Sequence, residues 1–117
     1  MSAKSSRDEA PVKLDLIEDV IVEGVGMRKT LSAGESLTLI EFSYKKGYRL
    51  PLHRHPTIES VGYVVKGKLE MLIGDSKHVL QPGSSWWHPK GVEHSTRALE
   101  DSLVVEVFSP KRTERTS

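Results

Sequence analysis

From Ser36 to Pro110 the chain never runs far before a turn residue interrupts it: Gly47, Lys66-Gly67, Gly74-Asp75, Pro82-Gly83, Pro89, Gly91 and finally Pro110. Between these breaks the pattern has period two. In "SLTLIEFSYKKG", residues 36–47, Leu37, Leu39 and Glu41 fall on one side while Thr38, Ile40, Phe42 and Tyr44 fall on the other, as on a strand with one buried face. Residues 59–87 continue in Val-rich runs whose breaks suit hairpins, and "DSLVVEVFSP" adds a β-branched run. No stretch of helical length carries an apolar stripe of period 3.6, so helix is minor. Short, evenly spaced strands of this kind predict an all-β fold in which two sheets close into a jelly-roll barrel.

At 117 residues the chain is one domain by length. The polar start "MSAKSSRDEAP" predicts a loose arm over 1–12, the barrel fills 13–110, and "KRTERTS" forms a tail over 111–117. Seventeen Lys and Arg against sixteen Asp and Glu leave a formal charge of +1, which argues against a broad field for nucleic acid or membrane and for a small-molecule partner. Without cysteine the fold cannot rest on disulfides, and any metal must be held by His, Asp or Glu. The first residues lack the apolar core of a signal peptide and no later run reaches membrane-spanning length, so the expected location is cytoplasmic.

In "PLHRHPTIES", residues 51–60, two histidines stand one residue apart. On a strand, positions i and i+2 share a face roughly 6.5 to 7 Å apart, so His53 and His55 can lean toward one ion while Arg54 faces away. Two histidines in a polar loop are usually just solvated. A distant segment, "PGSSWWHPKGVEHS", changes that balance: its two turns bring a third histidine, His94, to the start of another strand. A closed mononuclear site needs such a third ligand. In the same segment Trp86 and His88 share a face and Trp87 takes the other, so one tryptophan lines the interior and one packs outside, with the sidedness open. His88 is either a group supporting the ligands, a substrate contact, or a structural histidine. Arg28 and Arg49, on or near early strands, could lend positive charge to an anionic ligand, although most such arginines are solvated.

Gly47, His53, His55, Glu59 and Gly67 resemble the first cupin motif, and Gly83, Pro89, Gly91 and His94 resemble the second. That resemblance implies a small jelly-roll barrel, commonly dimeric, with one divalent metal held by His53, His55, His94 and a Glu or Gln. The usual position of the fourth ligand, six residues before the closing glycine, is Ser60. Glu59 is one residue off, and alternation turns it outward unless a bulge intervenes; it is expected either to ligate through a bulge or to sit beside the ligands. "YVVKGKLEMLIG" and "ALEDSLVVEVFSP" followed by Arg112 are similar to the KdgF-type cupins, which convert 4,5-unsaturated monouronates into linear ketonised sugar acids. That likeness implies that Glu106, Phe108 and Arg112 match the family's Asp-x-Phe-x-x-x-Arg residues near the metal, with glutamate in place of aspartate.

Glu106 also makes sense from its neighbours alone. It alternates with Val104 and Phe108, so on an interior face its carboxylate is buried, where its pKa tends upward and it can act as acid or base. Arg112 could bind a substrate carboxylate through its planar fork or simply belong to a basic tail. The expected function is a metal-dependent isomerase or lyase acting on a small oxygen-rich acid, with Glu106 and Arg112 catalytic and Phe108, Trp86, His88 and Arg49 contacting substrate. A dioxygenase with a three-histidine site and a non-enzymatic metal- or sugar-binding module are the alternatives. The ligand types admit Fe, Mn, Ni, Cu or Zn.

Overall fold

The computed structural model describes residues 10–14, 16–17 and 20–111, and among them there is no helix. Twelve strands follow one another: β1 (Val12–Lys13), β2 (Leu16–Ile17), β3 (Val20–Ile21), β4 (Gly26–Ala33), β5 (Thr38–Tyr44), β6 (Arg49–His53), β7 (Glu59–Lys66), β8 (Leu69–Ile73), β9 (Ser76–Leu80), β10 (Ser85–His88), β11 (His94–Ala98) and β12 (Ser102–Ser109). Every pairing is antiparallel. One sheet runs β1-β4-β5-β12-β7-β10, a second runs β6-β11-β8-β9, and β2 and β3 form a small pair. From β5 onward the chain steps back and forth between the two larger sheets, which is the double-sheet architecture expected of a jelly roll.

The stepping corrects the hairpin reading at two of three breaks. Gly74-Asp75 does join a hairpin, since Ile73 pairs with Ser76 across it. Lys66-Gly67 and Pro82-Gly83 instead carry the chain from one sheet to the other, because β7 pairs with β10 and β12 while β8 pairs with β9 and β11. A turn residue reverses direction locally; the partner is chosen by which face must be buried. Gly67 shows the constraint at such a corner. Its φ is +97°, and a Cβ there would stand 2.3 Å from Ser102 Oγ and 2.5 Å from the Asp101 carbonyl oxygen, so only glycine fits.

Alternation predicts the buried face well. Thr38, Ile40, Phe42 and Tyr44 on β5 and Val104, Glu106 and Phe108 on β12 all point inward. Phe42 meets Phe108 edge-on at 6.1 Å, and Tyr44 stacks on Tyr48 at 4.4 Å. Burying each such side chain contributes about 1.5–3 kcal/mol against the entropy of ordering it. Alternation fails on β6, where Leu50 and His53 are both buried although an odd number of steps separates them. Opposite them, Thr96 pairs with Leu50 and His94 with His53, so two residues of β6, Pro51 and Leu52, face the single Ser95. This bulge turns His53 inward.

At the N-terminal end Val12 and Lys13 pair with Arg28 and Met27, so the sheet includes Val12 of the expected arm. Residues 1–9 of that arm and residues 112–117 of the tail, Arg112 among them, lie outside the described residues. Among the described residues no helix is long and apolar enough to cross a membrane.

Candidate metal centre

His53 ends β6, His55 follows two residues later in the loop, and His94 opens β11 directly opposite His53. Arg54, between the first two, is exposed. The His55 loop is tied to the turn that precedes His94, since the Gly91 N–H donates to the His55 carbonyl oxygen at 2.9 Å. All three histidines are buried, and one nitrogen from each lies within 4.8 Å of the others. Small rotations would bring three such atoms to about 2.1 Å from one ion.

The hydrogen bonds prepare the rings for that role. His53 Nδ1 donates to the Pro51 carbonyl oxygen at 3.0 Å, and His94 Nδ1 donates to that of Val92 at 3.2 Å. A carbonyl can only accept, so in the neutral ring the proton sits on Nδ1 and Nε2 carries the lone pair that ligates. Burial, then the neighbouring His88 and His53, lowers the His94 pKa from 6.5 to about 2, against a smaller upward pull from the Val92 carbonyl and with His55 adding to the fall. A neutral imidazole is the ligating form. The donor set therefore fits one divalent ion.

Facing the histidines is a carboxylate. Glu106 is 7% exposed, and its Oε2 accepts from Ser60 Oγ at 2.5 Å, with His88 Nδ1 3.5 Å away. The shorter contact is at the tight end for a hydroxyl donating to an ionised carboxylate. His88 lies flat on His94, centroids 3.7 Å apart and planes at 12°, with its Nε2 3.3 Å from Met71 Sδ. The cavity between these groups is lined by His53, His55, His94, Glu106, Phe108 and Trp86, with further apolar side chains around them. Its volume, traced by the centre of a water-sized sphere, is about 30 Å³, room for roughly two waters.

The two tryptophans now have sides. Trp86 is 7% exposed and lines the cavity, and its Nε1 is buried without a hydrogen bond; Trp87 is 56% exposed. Trp86 fits because it pairs across from Gly62, where a Cβ would stand 2.1 Å from its Cζ2. His88 also lines the cavity. Glu59 is a correction: its side chain is outside the barrel, where Oε1 accepts from Trp87 Nε1 at 3.0 Å, and no bulge turns it in. Arg49 is a second correction. It is exposed beside a groove with Glu70, Lys77 and Arg97 on the far side of the four-stranded sheet, because Leu50 takes the inward position. Arg28 is buried on β4 opposite Phe42. Ser60 as the partner of Glu106 was not foreseen, nor was Tyr48, whose wholly buried phenol is pushed above its ordinary pKa by burial and then by the charge of Glu106. Alternation could have turned Ser60 inward; only the register of β7 against β12 brings it to Glu106.

Two antiparallel sheets enclosing three convergent imidazoles fit a metal-binding β-barrel. The chain belongs to the cupin family, whose Cupin domain matches residues 40–109. It is similar to KdgF from Halomonas sp., at 32% identity and a TM-score of 0.73 over 76% of this chain and 82% of that one. An RmlC-like cupin from Shewanella frigidimarina superimposes with a TM-score of 0.83 over 97% of this chain and 95% of its own, at 21% identity, and shows the fold. Dimethylsulfoniopropionate lyase DddQ of Ruegeria pomeroyi is 30% identical over 77 residues, 65% of this chain. The chain spans only 38% of that protein's length.

Proposed function

We propose that the protein is a metal-dependent enzyme that moves a proton on a small unsaturated or enolisable acid, with the ketonisation of 4,5-unsaturated uronates as its reaction. The observation that carries this reading is Glu106, a buried carboxylate in the same cavity as the three histidines. His53, His55 and His94 would hold the metal, which would supply positive charge to stabilise negative charge on a substrate oxygen. Glu106 takes or gives the proton, and Ser60 fixes its carboxylate at the cavity wall. Phe108 packs against the carbon skeleton, and the resemblance to the KdgF-type cupins offers Arg112 as the cation for the substrate carboxylate. The likeness to KdgF supports the uronate, and the shorter likeness to a lyase acting on dimethylsulfoniopropionate supports a small acid. We place the protein in the cytoplasm and as a homodimer; the outward apolar row of Val61, Tyr63, Val65 and Trp87 supports the second, and light scattering would check it.

The test is the ultraviolet absorbance of the conjugated double bond of 4,5-unsaturated galacturonate or mannuronate. Metal-loaded protein is expected to accelerate its loss, metal-free protein is not, and Glu106→Gln should lower the rate by about 10² to 10⁴ with metal content unchanged. No acceleration by the metal-loaded wild type would remove uronate ketonisation. Oxygen uptake with small enediols would then make the dioxygenase the leading reading.

A further inference from the structure

A buried carboxylate that shares a cavity with three metal-ligating imidazoles would ordinarily be drawn onto the ion. Opposite charges at close range attract strongly where water is excluded. Glu106 lines that cavity, yet the donor atoms that converge within 4.8 Å among the described residues are those of His53, His55 and His94 alone. Something holds the carboxylate back. Its Oε2 accepts from Ser60 Oγ at 2.5 Å and lies 3.5 Å from His88 Nδ1. The Ser60 hydroxyl has one proton and gives it to Glu106, so toward His88 Nδ1, 3.5 Å away, it can only accept. Ser60 therefore holds this carboxylate oxygen toward the β7–β10 wall, with His88 beside it. The β-ladder fixes where they stand: Ser60 pairs with Phe108 on one side and with His88 on the other, one step along the same face from Glu106 opposite Gly62.

We propose that Ser60, assisted by His88, is a positioning residue that keeps Glu106 off the metal. Glu106 is thereby kept as a proton-moving group rather than becoming a fourth ligand, and the metal keeps open positions for substrate oxygen. The proposal rests on the metal centre and deepens the proton-transfer reading, but its test does not depend on any substrate.

The probe is Co²⁺, whose visible spectrum reports ligand number and type. In Ser60→Ala the freed carboxylate should join the ion, shifting the spectrum and tightening Co²⁺ binding by roughly tenfold or more, the order seen when groups behind a ligand are changed. Ser60→Thr, which keeps the hydroxyl, should retain the wild-type spectrum. Ser60→Ala combined with Glu106→Ala should return to it, because no side-chain oxygen is left at that position to join the ion. The wild-type protein gives an independent check: the infrared carboxylate bands that vanish in Glu106→Gln should not move when Zn²⁺ is added. If Ser60→Ala folds and shows the wild-type spectrum and affinity, or if those bands shift with Zn²⁺ in the wild type, the proposal is wrong. Failure of the uronate assay alone would leave these results, and this proposal, standing.

Discussion

The four-stranded sheet brings His53 and His94 to the cavity from β6 and β11, with His55 just beyond β6, while the six-stranded sheet faces them with Ser60, Trp86, His88, Glu106 and Phe108. The two walls are made differently. On the metal side the backbone is irregular: a bulge at Pro51 and Leu52 turns His53 in, and His55 stands in a loop fastened to the Gly91 turn. Strict alternation cannot converge three side chains on a point, and bulges and turns are the devices that re-aim them. On the acid side the pairing is regular through the site itself, with Ile40, Glu106, Gly62 and Trp86 in one row and Thr38, Phe108, Ser60 and His88 in the next. Regular pleating suffices where groups need only stand side by side.

If the metal wall alone holds the ion, the sharpest break is His94→Ala. Two ligands cannot replace three, and the loss should exceed the roughly 10- to 100-fold typical of changes behind a ligand. Elemental analysis after dialysis should find the variant stripped and the wild type loaded. Retention of stoichiometric metal by His94→Ala would move the site elsewhere. Next in size is Gly62→Ala, aimed at the other wall. Its Cβ would fall 2.1 Å from a rigid buried ring, and overpacking of that kind costs about 1–3 kcal/mol. A drop in Tm of roughly 4–8 °C per kcal/mol is expected. Trp86 should move while the three histidines still bind metal, so fluorescence and metal content should separate.

How much of this was legible beforehand follows the same division. Period two sorts Thr38, Ile40, Phe42 and Tyr44 onto one side of β5 and Val104, Glu106 and Phe108 onto one side of β12, and the structure shows that these are the inward sides. The same alternation turns Glu59 outward, against the expectation that it would ligate or sit beside the ligands. Which of two adjacent tryptophans is inside could not be read, because a one-residue change of register exchanges them. The histidines were recognisable by spacing, but the β6 bulge left no local mark other than Pro51. Contacts between distant strands were the least legible. Ser60 meets Glu106 through the β7–β12 register, 46 residues apart, and two breaks read as hairpins join different sheets.

The metal wall should also show itself in pH dependence, because His94 is kept neutral. The His94 pKa is lowered to about 2 in the folded chain from an ordinary 6.5. Below 6.5 the unfolded chain therefore binds a proton that the folded one refuses. This contribution is fully present above pH 6.5 and is lost as pH falls from there, with a slope of at most about 1.4 kcal/mol per pH unit for one proton. Calorimetry of metal-free protein in chelator should give a lower Tm at pH 5 than at pH 7. His94→Ala should lack this component, and an equal fall in the variant would mean that His94 is not the group refusing the proton.

The smallest effect belongs to the outer surface, where Glu59 and Trp87 sit back to back with the acid wall. Glu59 is exposed, and its carboxylate accepts from the exposed indole of Trp87 at 3.0 Å. An exposed hydrogen bond exchanges readily for water, so Glu59→Ala should change stability by no more than about 0.5 kcal/mol. Metal affinity should also match the wild type, because the side chain points away from the histidines and no bulge in the β7–β10 pairing could turn it in. Ser60→Ala, one residue on, should alter the Co²⁺ spectrum. A single step along β7 thus separates a residue that controls the coordination sphere from one that does not touch it, and titration of Zn²⁺ into both variants reads the difference. Weaker Zn²⁺ binding in Glu59→Ala would mean that β7 rotates to present Glu59 when metal arrives, and the contrast between inner and outer faces would no longer hold.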